Sequence, residues 1–354
     1  MIEHVFSQEL LDLIKSDSTG EIDNIDREFS ELIAAAACII REENILWIVG
    51  ENENLREKEE KLKLWLKFLG MQDVTINFYT PPFADPYIDN GSDLNAVADK
   101  AGLIAAILKA ERSITITTLS ALNIKIETTG ELPLFFLELK TGIEISRNDL
   151  TGKLGRMGYR ARNIVEDRGD IAWRGSIVDV FPIDKDKPLR IEIEGDKIIS
   201  LRIFDPATQK SSGQVKQASF PMARFFLEYD DCRAYFSGEQ KGMDYLPHLL
   251  QRPRIIVSDK RKISEEFAKL LDHYKKIYDI ALEKEGNLPG IDKIFSYPFA
   301  AEKVISINQV FDNIAGAMEL IKLPHSLAEF NYGDLSILKD KIENRGYKLF
   351  VLSR

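Results

Sequence analysis

The chain has 354 residues, which is enough for two or three domains of ordinary size. Hydrophobic side chains make up 44% of it and charged side chains 29%, a composition that excludes an intrinsically disordered chain. The 47 basic and 57 acidic side chains give a net charge of −10, which argues against a uniformly basic nucleic-acid-binding protein.

Helical and strand patterns alternate in residues 1–134. Apolar side chains at helical spacing predict three helices, over residues 24–41, 52–69 and 92–110. Short runs of apolar and β-branched residues predict buried strands at residues 45–50, 75–79 and 114–118. This alternation favours an α/β fold in which helices cover a parallel sheet.

The pattern changes in residues 135–222. Beside a helix predicted near residues 147–158, short strands alternate apolar and charged side chains, as in residues 190–194. Gly195 and Asp196 then suit a two-residue hairpin turn. The sequence predicts a smaller, β-rich α+β domain here, and its residues 151–222 carry 13 Lys and Arg against 10 Asp and Glu, a net charge of +3 in an acidic chain.

The α/β pattern returns in residues 223–354. Strands are predicted at residues 254–258, 304–307 and 347–352. Helices are predicted at residues 260–283 and 334–344, and a third helix follows the strand at 304–307 and ends near residue 320. The predicted organisation is one α/β domain in two parts, residues 1–134 and 223–354, interrupted by a domain of residues 135–222. The chain stops directly after its last apolar strand, which is expected of a cut at a domain boundary.

The sequence contains none of the common motifs that place catalytic or cofactor-binding residues at the required spacing. No run matches the G-x-x-x-x-G-K-[ST] loop that cradles nucleotide phosphates, and residues 18–21 (STGE) carry a Glu where that loop needs a Lys. Cys38 and Cys232 belong to no disulfide framework or zinc motif. With no secretory signal and no apolar run of 18 residues, the sequence predicts a reduced, cytoplasmic chain without membrane segment, enzymatic activity, metal or cofactor.

The densest motif signal lies in residues 155–210. There the sequence reads GYR at residues 158–160, GDIAWRGSIVDVFP at 169–182, PLRIE at 188–192 and LRIFDPATQ at 201–209. In order and spacing this series resembles the domain shared by the excision-repair protein UvrB and the bacterial transcription-repair coupling factor, Mfd.

The flanking segments are more similar to the coupling factor than to UvrB. Residues 81–89 (PPFADPYID) and 117–122 (TTLSAL) resemble loops of that family, so a weaker resemblance extends over the entire chain. UvrB has an intact phosphate-binding loop in its first domain, whereas the coupling factor has a degenerate copy there. The resemblance therefore implies a degenerate helicase-like α/β domain, split by the β-rich domain.

The resemblance also implies that the β-rich domain docks onto UvrA, the damage-sensing ATPase, through arginines on its β face. By motif position Arg174 and Arg190 are the first candidates, and Arg202 and Arg168 are further ones. A guanidinium can hold a carboxylate with two parallel hydrogen bonds, which suits an interface of this kind.

The roles of three residues in this motif, Trp173, Arg190 and Glu194, have alternative interpretations. Trp173 is either an interface anchor or a core side chain. Arg190 could instead pair with Glu192 or Glu194 on its own strand. Glu194 also departs from the family, which often carries an aromatic side chain at that position, and an unpaired carboxylate would be costly in an apolar contact.

The first functional hypothesis is a non-catalytic adaptor that recruits UvrA in nucleotide excision repair at a stalled RNA polymerase. In the full-length family, RNA polymerase and DNA are bound by regions beyond this chain, which include the ATP-dependent translocase motor. The alternatives are a UvrB-like ATP-dependent repair subunit and a module that binds DNA directly.

Overall fold

The computed structural model describes most of the chain between residues 6 and 309. The described residues are 6, 8–16, 19–25, 30–71, 73–81, 85–87, 93–225, 242–251, 253–286, 288, 290–295 and 304–309. Cys232 and the elements predicted after residue 309 lie outside this set.

Six parallel strands form the central sheet, in the order β1-β16-β15-β2-β4-β3. Their bounds are β1 (Gly20–Ile25), β2 (Ile45–Val49), β3 (Thr75–Tyr79), β4 (Ser113–Thr118), β15 (Arg254–Ser258) and β16 (Val304–Gln309). Strands from both ends of the described chain thus join one sheet, since β15 pairs with β2 and β16 with β1.

Helices cover both faces of this sheet, because successive strand residues point to opposite sides. The helices are α1 (Gln8–Lys15), α2 (Ser30–Arg41), α3 (Leu55–Phe68), α4 (Leu94–Leu108), the short α5 (Leu119–Leu122), α6 (Arg147–Arg156), the short α7 (Leu246–Leu249), α8 (Lys260–Glu285) and the short α9 (Ile291–Ile294). Trp47 packs in one core with Leu62 of α3. Leu46, its neighbour, packs in the other core with Val97 of α4 and Ile263 of α8.

A second six-stranded sheet, in the order β12-β11-β10-β9-β8-β7, forms most of the β-rich region. Its strands are β7 (Arg160–Ala161), β8 (Asp170–Arg174), β9 (Ile177–Val180), β10 (Leu189–Glu194), β11 (Lys197–Phe204) and β12 (Ser211–Val215). All its pairs are antiparallel except β7 with β8. We call this the insert sheet.

Two short ladders accompany these sheets. They pair β13 (Gln217–Pro221) with β6 (Phe136–Lys140) and β14 (Met243–Asp244) with β5 (Ile126–Glu127). A 3-10 helix spans Leu132–Phe135.

The inner face of the insert sheet is apolar and continues the core of the parallel sheet. Val178, Ile191 and Leu201 lie in one cross-strand row and are fully buried, together with Leu150 and Leu154 of α6. The opposite, outer face has only a small apolar cluster of its own, formed by Val165, Ala172, Phe181 and Phe204. Among the described residues, the outer face is therefore the less apolar side of the insert sheet.

A buried lysine joins the two chain segments that lead into and out of the β-rich region. Lys100 of α4 is fully buried, with its Nζ 2.6 Å from Glu127 Oε2 and hydrogen-bonded to the carbonyl oxygen of Phe225. The same ammonium lies 4.8 and 4.3 Å from the ring centroids of Phe135 and Phe225. Burial lowers the pKa of Lys100, and the Glu127 carboxylate opposes that shift.

The predicted fold class is confirmed: a parallel α/β sheet is accompanied by a separate, β-rich one. The division at 134/135 and 222/223 stays a prediction. One element was placed wrongly, since the helix predicted from residue 24 begins at Ser30 and residues 20–25 form β1. The run GEIDNI has polar side chains at residues 21, 23 and 24, and its Ile22 and Ile25 are three positions apart, so the alternation typical of a strand is absent from it.

Among the described residues, no helix is both long and apolar enough to cross a bilayer.

Candidate protein-binding surface

The outer face of the insert sheet brings most of the candidate arginines together. Residues that pair across strands point to the same side of a sheet. One cross-strand row consists of Ala172, Asp179, Arg190 and Arg202, and the next row consists of Arg174, Ile177, Glu192 and Ser200. Three candidates that are far apart in sequence thus share one face.

Arg190 is held tightly inside this face. Its Nε and Nη2 donate to the two carboxylate oxygens of Asp179 on β9, both at 2.8 Å. Nη1 donates to the carbonyl oxygen of Gln209 at 3.1 Å, and the guanidinium carbon lies 4.5 Å from the ring centroid of Phe204. The hydrogen bond with Asp179 raises the pKa of Arg190, and only 19% of the side chain is exposed. Arg190 therefore joins β9, β10 and the 205–209 turn.

The 205–209 turn is built by its own motif residues. The carboxylate of Asp205 accepts the backbone N–H of Thr208 at 2.8 Å and its hydroxyl at 3.0 Å, which lowers the pKa of Asp205. Gln209 has a positive φ of 60° and its N–H donates to the carbonyl oxygen of Asp205 at 2.7 Å. These contacts place the carbonyl and side-chain oxygens of Gln209 against Arg190.

Arg202 and Arg168 also have carboxylate partners within the chain. Arg202 donates to Glu192 on the neighbouring strand β10, and both side chains are about one-third exposed. Arg168 Nη2 lies 2.7 Å from Asp186 Oδ1, in an ion pair whose two side chains are exposed. Such an exposed pair contributes little to stability and can exchange for an external partner.

Arg174 differs from the other candidates. It is exposed at the end of β8, and no hydrogen bond or ion pair joins its side chain to the described part of the chain. Trp173 precedes it on β8 and pairs across the strands with Val178, so its indole projects from the opposite, inner side. There it remains 46% exposed at the edge of the sheet. Glu194 is exposed at the hairpin, opposite Lys197.

Two further arginines on the outer face were not identified from the sequence. Arg160 pairs with Asp170 across β7 and β8, and the N–H of Arg162 donates to the carbonyl oxygen of Ile171. Their side chains are 52% and 55% exposed. The alternation of Arg160, Ala161 and Arg162 was the available signal, but two residues are too few to predict a strand from periodicity.

The carboxyl edge of the parallel sheet is the other place where this fold could hold a ligand. The helices that follow β2 and β15 pack on opposite faces, which opens the crevice where α/β sheets usually bind their ligands. In this chain, carboxylates and ammonium groups of the chain fill the crevice. The six side chains involved are Glu31, Glu51, Glu53, Lys58, Lys262 and Glu266.

Backbone donors that could bind a phosphate there already hold internal carboxylates. The N–H of Glu51 donates to Glu266 Oε2 at 2.9 Å, and the N–H and hydroxyl of Ser120 donate to the Glu51 carboxylate at 2.9 and 2.7 Å. Gly50 permits this approach, because a Cβ at that position would lie 2.6 Å from a Glu266 carboxylate oxygen. Within the described residues, no group of three His, Cys, Asp or Glu is arranged to hold a metal ion.

Comparison with known proteins agrees with the resemblance found in the sequence. Residues 137–226 match the UvrB interaction domain family. The insert sheet and all six candidate residues lie within this match.

Two kinds of relative share the similarity. The transcription-repair-coupling factor of Myxococcus xanthus is 32% identical over 149 residues, which cover 42% of this chain and 12% of that protein. The UvrABC system protein B of Methanococcoides burtonii is 27% identical over 228 residues, covering 60% of this chain and 34% of that protein. The coupling factor of Staphylococcus haemolyticus is 29% identical over 131 residues, covering 37% of this chain and 11% of that protein. The chain thus spans about a third or less of the length of these curated relatives, and its resemblance to both groups is confirmed.

Proposed function

We propose that this chain is a non-catalytic adaptor module that works in the cytoplasm and recruits UvrA in nucleotide excision repair at stalled RNA polymerase. The observation that carries the proposal is Arg174, whose exposed guanidinium has no partner among the described residues and lies on the outer face of the region that matches the UvrB interaction domain. The relatives named as coupling factors and as UvrABC system protein B support a role in DNA repair.

The β-rich region provides two different kinds of arginine for this role. Arg174 offers its fork of N–H donors to a carboxylate of UvrA, and Arg202 and Arg168 can exchange their exposed pairs for contacts with UvrA. Arg190 is bound to Asp179 and Gln209, so it shapes the face on which the others stand and contributes a smaller contact of its own. Trp173 can contact UvrA only around the edge of the sheet, because it points to the inner side.

The filled crevice of the parallel sheet supports the non-catalytic part of the proposal. A nucleotide there would have to displace Glu51 and Glu266 from the backbone donors they occupy, and would bring its phosphates close to four carboxylates. The competing function, a UvrB-like ATP-dependent subunit, requires this crevice to open. We expect no saturable binding of a fluorescent ATP analogue at concentrations up to about 1 mM, the range in which substrates of enzymes ordinarily bind.

In the full-length protein that this proposal implies, contacts with RNA polymerase and DNA are made by regions outside this chain. The direct DNA-binding alternative predicts an affinity for duplex DNA that falls steeply with salt. The adaptor proposal predicts only weak, nonspecific DNA binding, because the residues 151–222 carry a net charge of only +3.

The test is calorimetric titration of this chain into UvrA from the same organism. Loss of the desolvated contact in Arg174→Glu is expected to cost on the order of 2–5 kcal/mol of binding free energy, with an unchanged thermal melt. The matched control is Arg261→Glu, which reverses an 89% exposed arginine on α8, away from the insert sheet, and should bind as the wild type does. A wild-type chain that folds and does not bind UvrA would contradict the proposal.

A further inference from the structure

We infer that the partner-binding face continues onto the edge of the insert sheet, where Arg160 and Arg162 join Arg174 in a strip of guanidinium groups that takes an acidic segment of the partner protein. We call these three residues the arginine edge. The inference rests on the proposed function and adds two binding residues to it.

The register of β7 and β8 puts the three side chains on one face. Arg160 lies opposite Asp170, and Arg162 lies beside Ala172 through its hydrogen bond to Ile171. Arg174 lies two residues beyond Ala172 on β8, which is about 7 Å along the strand at the usual rise. Carboxylates spaced along an extended acidic segment of a partner could therefore meet all three guanidinium groups.

The charge of the arginine edge is only partly balanced within the described chain. Asp170 is the carboxylate that Arg160 and Arg162 share, with Oδ1 at 3.8 Å from Arg160 Nη2 and 3.6 Å from Arg162 Nε. This oxygen is buried and has no hydrogen-bond partner, and Oδ2 accepts the N–H of Asp167. One buried carboxylate thus faces two half-exposed guanidinium groups, and the Arg174 charge adds to theirs.

The surroundings favour a protein partner over a nucleic acid. Ile164, in the segment that follows β7, is 50% exposed, and its neighbour Val165 anchors that segment to the apolar cluster of the outer face. An exposed apolar side chain among arginines is typical of a protein interface.

The experiment compares variants of the whole chain for binding to UvrA. Removing Arg160 and Arg162 alone would leave the buried Asp170 carboxylate without its partners. The test variant therefore combines Arg160→Gln and Arg162→Gln with Asp170→Asn, and the control carries Asp170→Asn alone. We expect the triple variant to bind UvrA about tenfold or more weakly than the control, with a smaller dependence of affinity on salt. Thermal melts of both variants establish that the comparison is between folded proteins.

Three outcomes would overturn the inference. If the triple variant binds UvrA like its control while Arg174→Glu loses binding, the arginine edge stops at Arg174 and the proposed function stands. If the triple variant instead loses affinity for a 20-base-pair DNA duplex and keeps its affinity for UvrA, the edge binds phosphates. If the wild type does not bind UvrA, the proposed function fails and this extension fails with it.

Discussion

The two places where this molecule could bind a ligand differ in how their charges are matched. At the carboxyl edge of the parallel sheet, Glu51 and Glu266 accept from backbone donors, and Lys58 and Lys262 neutralise the carboxylates beside them. On the outer face of the insert sheet, Arg174 remains exposed with no internal partner in the described chain. The position where this fold class usually binds ligands thus holds paired charges of the chain itself, whereas the guanidinium without a described partner lies on the insert sheet.

The ion pairs at the carboxyl edge and those of Arg168 and Arg202 differ in burial, and therefore in the free energy needed to break them. The side chains of Lys58, Glu31 and Glu53 are less than one-tenth exposed. Each charge therefore needs its oppositely charged partner to offset the hydration free energy that it loses on burial. The ion pairs of Arg168 and Arg202 are more exposed and screened by water, so breaking them costs little. The first network stabilises the fold and the second remains available to a partner.

The largest effect is expected from breaking the buried network. Lys58→Met leaves Glu31 and Glu53 without their ammonium partner and should lower the free energy of unfolding by about 3–5 kcal/mol. Urea denaturation measures this change. Lys63→Met is the matched control, because Lys63 lies on the same helix in an exposed pair with Glu59, and it should change stability by less than about 1 kcal/mol. Equal stabilities of the two variants would show that the crevice network is not structural.

A somewhat smaller effect separates two arginines of the outer face. Arg190→Ala leaves Asp179 largely buried and uncovers Phe204, so it should lower the free energy of unfolding by about 2–4 kcal/mol. Arg174→Ala should change it by no more than about 0.5 kcal/mol. The same urea titration compares them. If both variants were equally stable, Arg190 would be a free interface residue like Arg174.

The smallest effect concerns the turn beneath Arg190 and depends on pH. Hydrogen bonds from Thr208 lower the pKa of Asp205 below its ordinary value of 3.8, so its contribution to stability is present above that value and is lost as pH falls through the lower pKa of the folded state. The wild type should melt at a slightly higher temperature than Asp205→Asn at pH 6. That difference should shrink as the pH falls below 3.8 and disappear once the carboxyl of the folded wild type is protonated. A difference that does not change with pH would mean that the turn does not depend on the carboxylate charge.

Local periodicity was sufficient to predict most of the fold. The alternation in residues 190–194, the Gly195-Asp196 turn and the apolar run of β2 all appear where the pattern indicated. Such signals depend on neighbours within a few residues, which the sequence shows directly.

The contacts of the site could not be predicted in the same way. The sequence offered Glu192 and Glu194 as partners of Arg190, but the register of the sheet places Asp179 opposite it, 11 positions earlier in the chain. The hydrogen bond between Glu51 and Glu266 spans 215 positions and depends on two strands becoming neighbours. Which charges are matched is therefore decided by the tertiary pairing of strands.

Hydrogen exchange of this chain with and without UvrA, followed by mass spectrometry, locates the surface that UvrA covers. We predict slower exchange in peptides that cover residues 158–178 when UvrA is present. Peptides that cover residues 50–58 and 118–122, at the carboxyl edge of the parallel sheet, should exchange at the same rate in both samples. Protection of the carboxyl edge without protection of residues 158–178 would contradict the account, because binding would then use the region that the chain fills with its own side chains.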